Sequence, residues 1–261
     1  TPSPSITVRT GETMPAPLIP LTRWPGPSTT GVPPGVRLTP SGPLEVKRDG
    51  QVVTDLHITG YVNVYARDVV IRRSRITCTT GPFAIRTLGS AVNLLVEDVE
   101  IDGQDVAAAA VHLDDYTLRR VDVHHVRDGL RLGSRTAVVD SWIHDLAQGP
   151  GTHGDCLHVS DATDVLIRHN RLDAYHHDTG DAANSCLLLD GAVHNLRFEE
   201  NYCDGGAYSV TILPELVASN VVVRDNIFGR GQQVNAVNRP AHPGIYWDNS
   251  NVWLDTGEPV A

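Results

Sequence analysis

One hexad returns down most of this chain: an apolar residue, two mostly polar ones, then Asn, Ser or Val, then a variable residue and a second apolar one. It reads Ile71-Arg-Arg-Ser-Arg-Ile76, Val96-Glu-Asp-Val-Glu-Ile101, Leu118-Arg-Arg-Val-Asp-Val123, Val138-Val-Asp-Ser-Trp-Ile143, Ile167-Arg-His-Asn-Arg-Leu172, Phe198-Glu-Glu-Asn-Tyr-Cys203 and Val223-Arg-Asp-Asn-Ile-Phe228. The fourth positions, Ser74, Val99, Val121, Ser141, Asn170, Asn201 and Asn226, are separated by 25, 22, 20, 29, 31 and 25 residues. A period that keeps its strands while varying its loops marks a solenoid, in which residues one period apart become neighbours.

Composition agrees with stacked strands. Aromatics are 5% of the 261 residues, so the core must be filled by Val, Leu and Ile, which suit a pleated surface. Helix-period stretches are short and broken by Gly, Pro, Asn and Asp. A solenoid grows along one axis, which predicts a single domain. The net charge of −10 argues against a nucleic-acid partner, which needs basic surface. It still allows an acidic ligand held by a local Arg patch or a bound cation. No apolar run reaches the length of a membrane span. The opening Thr1-Pro-Ser-Pro-Ser5 reads as the mature end of a longer precursor or a trimmed chain, and the protein is expected to be secreted and monomeric.

A second alternating strand precedes each hexad: Phe83-Ala-Ile-Arg86, Val111-His-Leu-Asp114, Leu130-Arg-Leu-Gly133, Leu157-His-Val-Ser160, Leu187-Leu-Leu-Asp190 and Val210-Thr-Ile-Leu213. Period-2 alternation turns Phe83/Ile85, Val111/Leu113, Leu130/Leu132, Leu157/Val159, Leu187/Leu189 and Val210/Ile212 inward. Residues 1–44, rich in Pro, Ser and Thr, are expected to wrap or cap the first coil, 45–230 to form the coils, and 231–261 to form the far cap under Trp247 and Trp253. Cys156 and Cys186 share a repeat position, either as a disulfide or as two buried free thiols. Asn170, Asn201 and Asn226 are expected to form an inward amide ladder.

Multi-strand coils, an internal Asn/Ser ladder and loops of unequal length on one side resemble the right-handed pectate-lyase-like parallel β-helix family over roughly residues 45–230. The resemblance implies an all-β, single-domain right-handed parallel β-helix. It is specific for fold and weak for reaction, because the family includes lyases, hydrolases, epimerases, esterases and non-catalytic surface proteins. The Asn-Thr-Asp, Gly-His-Gly and Arg-Ile-Lys triplets of its polygalacturonase branch are absent from this chain.

Stacking the upstream strands predicts an outward column Ala84, His112, Arg131, His158, Leu188, Thr211, beside a second column Arg86, Asp114, Gly133, Ser160, Asp190, Leu213. A strand surface gains nothing from placing His, Arg and His side by side, and their repulsion should lower the histidine pKa values. Two consecutive long loops, 144–155 and 173–185, are expected to wall the same place, since long loops on a rigid scaffold tend to carry function.

The leading expectation is β-elimination on an acidic, uronate-containing polysaccharide. Arg131 would neutralise the carboxylate and His158 or His153 would take the proton, with Asp155 in the catalytic group. His112, Asp128, His176, His177, Tyr175, Asp190 and Tyr208 would bind substrate, and Tyr175 or Tyr208 could protonate the leaving oxygen. Asp155, Asp178 and Asp181, with Asp128 nearby, could hold Ca²⁺. The alternatives are a glycoside hydrolase using paired Asp residues such as Asp128 and Asp155, a Zn²⁺ or Cu²⁺ site of His153, His158, His176 and His177, and a glycan-binding module without turnover.

Overall fold

The third hexad residue bends the chain. Arg73, Asp98, Arg120, Asp140, His169, Glu200 and Asp225 all have φ between 47° and 60°, the left-handed region that non-glycine residues seldom enter. Each bend is supported by the next coil: the Arg73, Asp98, Arg120 and Asp140 N–H groups donate to the carbonyls of Glu97, Arg119, Val139 and Arg168. The bend throws the fourth side chain inward. Ser74, Ser141, Asn170, Asn201 and Asn226 are fully buried there, alongside Val99 and Val121.

The computed structural model describes residues 20–147 and 154–260. Each coil carries three short strand segments, and every paired strand is parallel to its neighbour in the next coil. One face stacks segments such as Leu94–Glu97, Tyr116–Arg119 and Thr136–Val139. A second stacks Arg75–Thr77, the starts of Glu100–Leu113 and Asp122–Leu132, Trp142–Ile143 and Arg171–Ala174. The third stacks Phe83–Thr87 on the later parts of Glu100–Leu113 and Asp122–Leu132, then on Asp155–Arg168, Ser185–Glu199 and Tyr208–Ile212. The protein is an all-β parallel solenoid forming one domain. Its interior is a column of Val, Leu and Ile, including Ile71, Val96, Ile101, Leu118, Leu157 and Leu187, all fully buried. Each such burial stabilises the fold by roughly 1.5–3 kcal/mol.

The amide ladder forms and is longer than the hexads suggest. Asn170 N–H donates to Asn201 Oδ1 at 2.9 Å, Asn201 N–H to Asn226 Oδ1 at 2.9 Å, and Asn226 N–H to Asn251 Oδ1 at 3.2 Å. All four cysteines are free thiols and buried.

Both ends differ from expectation. The ladder begins at Thr39–Ser41, which pairs with Leu56–Thr59, and it runs on past 230. Val221, Val222 and Val223 pair with Ile245, Tyr246 and Trp247, and Phe228 pairs with Trp253. Trp247 and Trp253 are therefore members of the last coil, packed on Phe228 with ring centroids 5.9 and 6.5 Å away. The segment from residue 20 does not cap the first coil. Trp24 is buried against Tyr202 and donates its indole N–H to the Glu200 carbonyl, while Gly31 N–H donates to Arg120 O. The segment is a strap along a corner of later coils, pinned by one large aromatic.

Candidate functional site

The third face carries a cationic column. Arg86 pairs with His112, His112 with Arg131, Arg131 with His158, and His158 with Leu188. The expected member Ala84 is displaced by Arg86, because Ile85 and not Phe83 lies in register with Val111. Phe83 instead packs outside against His112, ring centroids 4.3 Å apart and the planes tilted by 43°. Arginine and histidine therefore alternate over three coil steps, about 14 Å.

Arg131 and His158 are each held by a carboxylate. Arg131 Nε donates to Asp128 Oδ2 at 2.8 Å, with Nη2 of the same guanidinium 2.7 Å from that oxygen. His158 Nε2 lies 3.1 Å from Asp190 Oδ2. Donation from Nε2–H to Asp190 leaves the lone pair on Nδ1. Above the column opens a cleft of about 340 Å³, with His112, Arg131 and His158 in its floor and Asp114, Ser160 and Asp161 along one side. Gly133 keeps that side close: a Cβ there would lie 1.8 Å from Asp114 Oδ1. Burial lowers the pKa of His112, and the flanking Arg131 and Arg86 lower it further.

Asp128 and Asp155 lie just upstream in adjacent coils, each two residues before the paired Leu130 and Leu157. They are 3% and 2% exposed, so they sit beneath the cleft instead of lining it. Asp155 accepts hydrogen bonds from Asn184 Nδ2 at 2.8 Å and from Ser185 Oγ. Burial pushes its carboxyl up to about 6; the Asp128 charge adds to this, while Ser185, Asn184 and His158 oppose it. An unfolded aspartate titrates near 3.9, so the folded state holds this proton more tightly. The contribution of Asp155 is most favourable below about pH 4 and is lost as pH rises through about 6. Asp155→Asn keeps an acceptor oxygen without the buried charge. It should be more stable than the parent by up to about 3 kcal/mol above pH 7 and about equal to it below pH 4. Urea unfolding at pH 4 and pH 8 measures this, and an identical difference at the two pH values would exclude it.

The remaining expected residues gather elsewhere. His176 and His177 follow Asp173 on the second face, not the cleft. His177 Nδ1 lies 2.8 Å from Asp145 Oδ1 and its Nε2 lies 3.5 Å from Asp173 Oδ2. The Asp173 hydrogen bond raises His177 to about 9 against partial burial, with Asp145 assisting. Tyr175 packs on His177 at 4.9 Å and bridges to Ala182, closing the base of that loop. Asp178 and Asp181 are exposed in the same loop. Tyr208 is in the upstream column with Asn235 and does not line the cleft. His153 lies outside the described residues. Among the described residues the two long loops do not meet beside His158: residues 144–147 and most of 175–183 belong to the second face, while Asn184 and Ser185 reach Asp155. For the same reason His158 does not join His176 and His177 in a metal site.

The second face carries a cluster of histidines and carboxylates outside the expected groove. The residue after each hexad, Thr77, Asp102, His124, His144, Asp173 and Asp204, forms an outward column there. His144 Nδ1 is 2.6 Å from Asp145 Oδ2, its Nε2 is 2.8 Å from Asp122 Oδ1, and Trp142 stacks on its ring at 3.5 Å. Among the described residues, donor atoms converge within 4.8 Å in two groups, Asp102/His124/His125 and His144/Asp145/His177. Asp155, Asp178 and Asp181 form no such group. Comparison with protein-family models, curated proteins and solved structures finds no match to this chain.

Proposed function

We propose that the protein is a secreted polysaccharide lyase, cleaving a uronate-containing polysaccharide by β-elimination in the cleft over Arg131 and His158. The observation that carries this reading is the in-register pair of Arg131 and His158, each fixed by its own carboxylate beneath an open cleft. A guanidinium held in place can neutralise a uronate carboxylate and stabilise the enolate-like charge that develops when its α-proton leaves. The His158 Nδ1 lone pair takes that C5 proton. The C5–H electrons form the C4=C5 double bond, and the C4–O4 bond breaks. Water protonates the leaving oxygen, because neither Tyr175 nor Tyr208 lines the cleft. His112, kept neutral by burial and its arginine neighbours, serves as a hydrogen-bonding subsite.

The Asp128–Asp155 pair favours a second reading, glycoside hydrolysis, since one carboxyl retains its proton at mildly acidic pH beside another carboxylate. Both are nearly inaccessible from the cleft, and Asp128 is engaged by Arg131, which makes elimination the stronger reading. Incubating the chain with a panel of uronate and neutral polysaccharides, followed by mass spectrometry of the fragments, tests this. Elimination gives new non-reducing ends one water lighter than hydrolytic ends. Hydrated ends alone would establish the hydrolase, and retention of glycan with no fragments would establish a binding module.

A further inference from the structure

We propose that Asp102, His124 and His125 form a binding site for one divalent transition-metal ion, with Zn²⁺ the best-fitting member of that class. The three donors come from adjacent coils, brought together by the pairing of Asp102 with His124. His124 Nδ1 and His125 Nδ1 are 2.9 Å apart, His125 Nδ1 is 3.2 Å from Asp102 Oδ1, and His124 Nδ1 is 3.9 Å from that oxygen. A tetrahedral ion with bonds of 2.0–2.1 Å places its donors about 3.3 Å apart, a value these separations bracket. Two imidazole nitrogens and a carboxylate oxygen facing one another offer lone pairs to a shared centre. As hydrogen-bond partners they have few protons to distribute.

The outer contacts are those a ligating set uses. His124 presents its other nitrogen, Nε2, to Glu100 Oε1 at 3.7 Å, and Glu100 is itself held by Arg75 at 2.7 Å. At this ion-pair distance the carboxylate on the far side of a ligating imidazole favours its basicity. Asp102 is set by the Gln104 backbone N–H, which donates to Oδ1 at 3.0 Å. His125 is locked by a left-handed backbone (φ 52°) and by donation of its N–H to Asp145 O at 2.9 Å. His176 stands beside it, ring centroids 6.1 Å apart, and its buried Nδ1 has no hydrogen-bond partner. Three protein donors with His125 partly exposed leave a coordination position open to water or an oxygen ligand, as in catalytic rather than structural zinc sites. The site is on a different face from the cleft and does not depend on the lyase reading.

The test is Zn²⁺ titration of the full chain by calorimetry, with elemental analysis after dialysis. The expected result is saturable uptake of one Zn²⁺ per chain and a higher melting temperature in its presence. Asp102→Asn and His125→Asn should each weaken Zn²⁺ affinity at least tenfold. Both keep the local backbone, since asparagine tolerates the left-handed region at 125, and metal-free circular dichroism checks that they fold. His177→Ala should leave the affinity within about twofold. The proposal is overturned if no saturable uptake occurs, if both asparagine variants bind as the parent does, or if His177→Ala removes binding and so assigns the ion to the other group.

Discussion

Replacing Asn201 with leucine should lower stability by about 4 kcal/mol or more, a large change for one side chain. Asn201 Oδ1 accepts from Asn170 N–H at 2.9 Å and from Asn170 Nδ2 at 3.0 Å, and its Nδ2 donates to Ile167 O at 3.1 Å. Leucine would leave two buried donors and one buried carbonyl unpaired, each costing roughly 1–3 kcal/mol. The apolar side chain is not itself the difficulty. Val99 and Val121 occupy the same inward stack fully buried, and the Val121 N–H is satisfied by Ser141 Oγ at 3.0 Å. The cost arises from the neighbours that depend on an amide. Thermal unfolding followed by circular dichroism should show the midpoint falling by roughly 8–16 °C. A fall of only a degree or two would mean that the ladder is incidental to stability.

On the proposed elimination reaction, Arg131→Ala should reduce turnover about 100- to 1,000-fold, the usual cost of removing a donor from a developing anion. The single variant has a confounding effect, because it leaves Asp128, 3% exposed, with only the more distant Arg127 Nη2 at 4.0 Å. A buried charge with no partner destabilises by roughly 3–5 kcal/mol, which is the upper bound here. The pair Arg131→Ala with Asp128→Asn removes that charge. The double variant should regain the parent melting temperature and remain inactive. Recovery of turnover together with stability would show that Arg131 only supports the fold. Progress curves on a responsive uronate polymer, read beside melting curves, separate these outcomes.

Much of the architecture was legible because the inward side of a coil tolerates little variation. The fourth hexad positions had to fit a stack, so Asn170, Asn201 and Asn226 announced themselves. Asn251 escaped notice because the last turn holds one more residue: Trp247 to Asn251 spans four steps where Val223 to Asn226 spans three. The sequence pattern places the cationic column from His112 through Thr211 and misplaces its start. Apolar alternation alone cannot decide between Phe83 and Ile85 as the partner of Val111, since both are hydrophobic and two apart. The Asp/His column of the second face was visible in principle, one residue beyond each hexad. Loop length alone does not separate it, because the expectation of a single wall beside His158 draws His176 and His177 to the cleft and leaves His124 and His125 without a role. The bend at His125, where Asp122–Leu132 turns from one face to the next, separates His124 from Arg131 and divides them into two sites.

The buried thiols carry a consequence for how this protein meets its surroundings. Cys156, Cys186 and Cys203 sit fully enclosed in successive coils of the C-terminal half, with the Cys186 thiol directed at the Leu172 and Asp204 carbonyls. Burial also pushes the Cys156 and Cys203 thiols up, away from the reactive thiolate. No electrophile or oxidant reaches these sulfurs while the neighbouring windings stay in register. Their chemistry is therefore gated by separation of these later windings, and fraying at the first coils leaves them sealed.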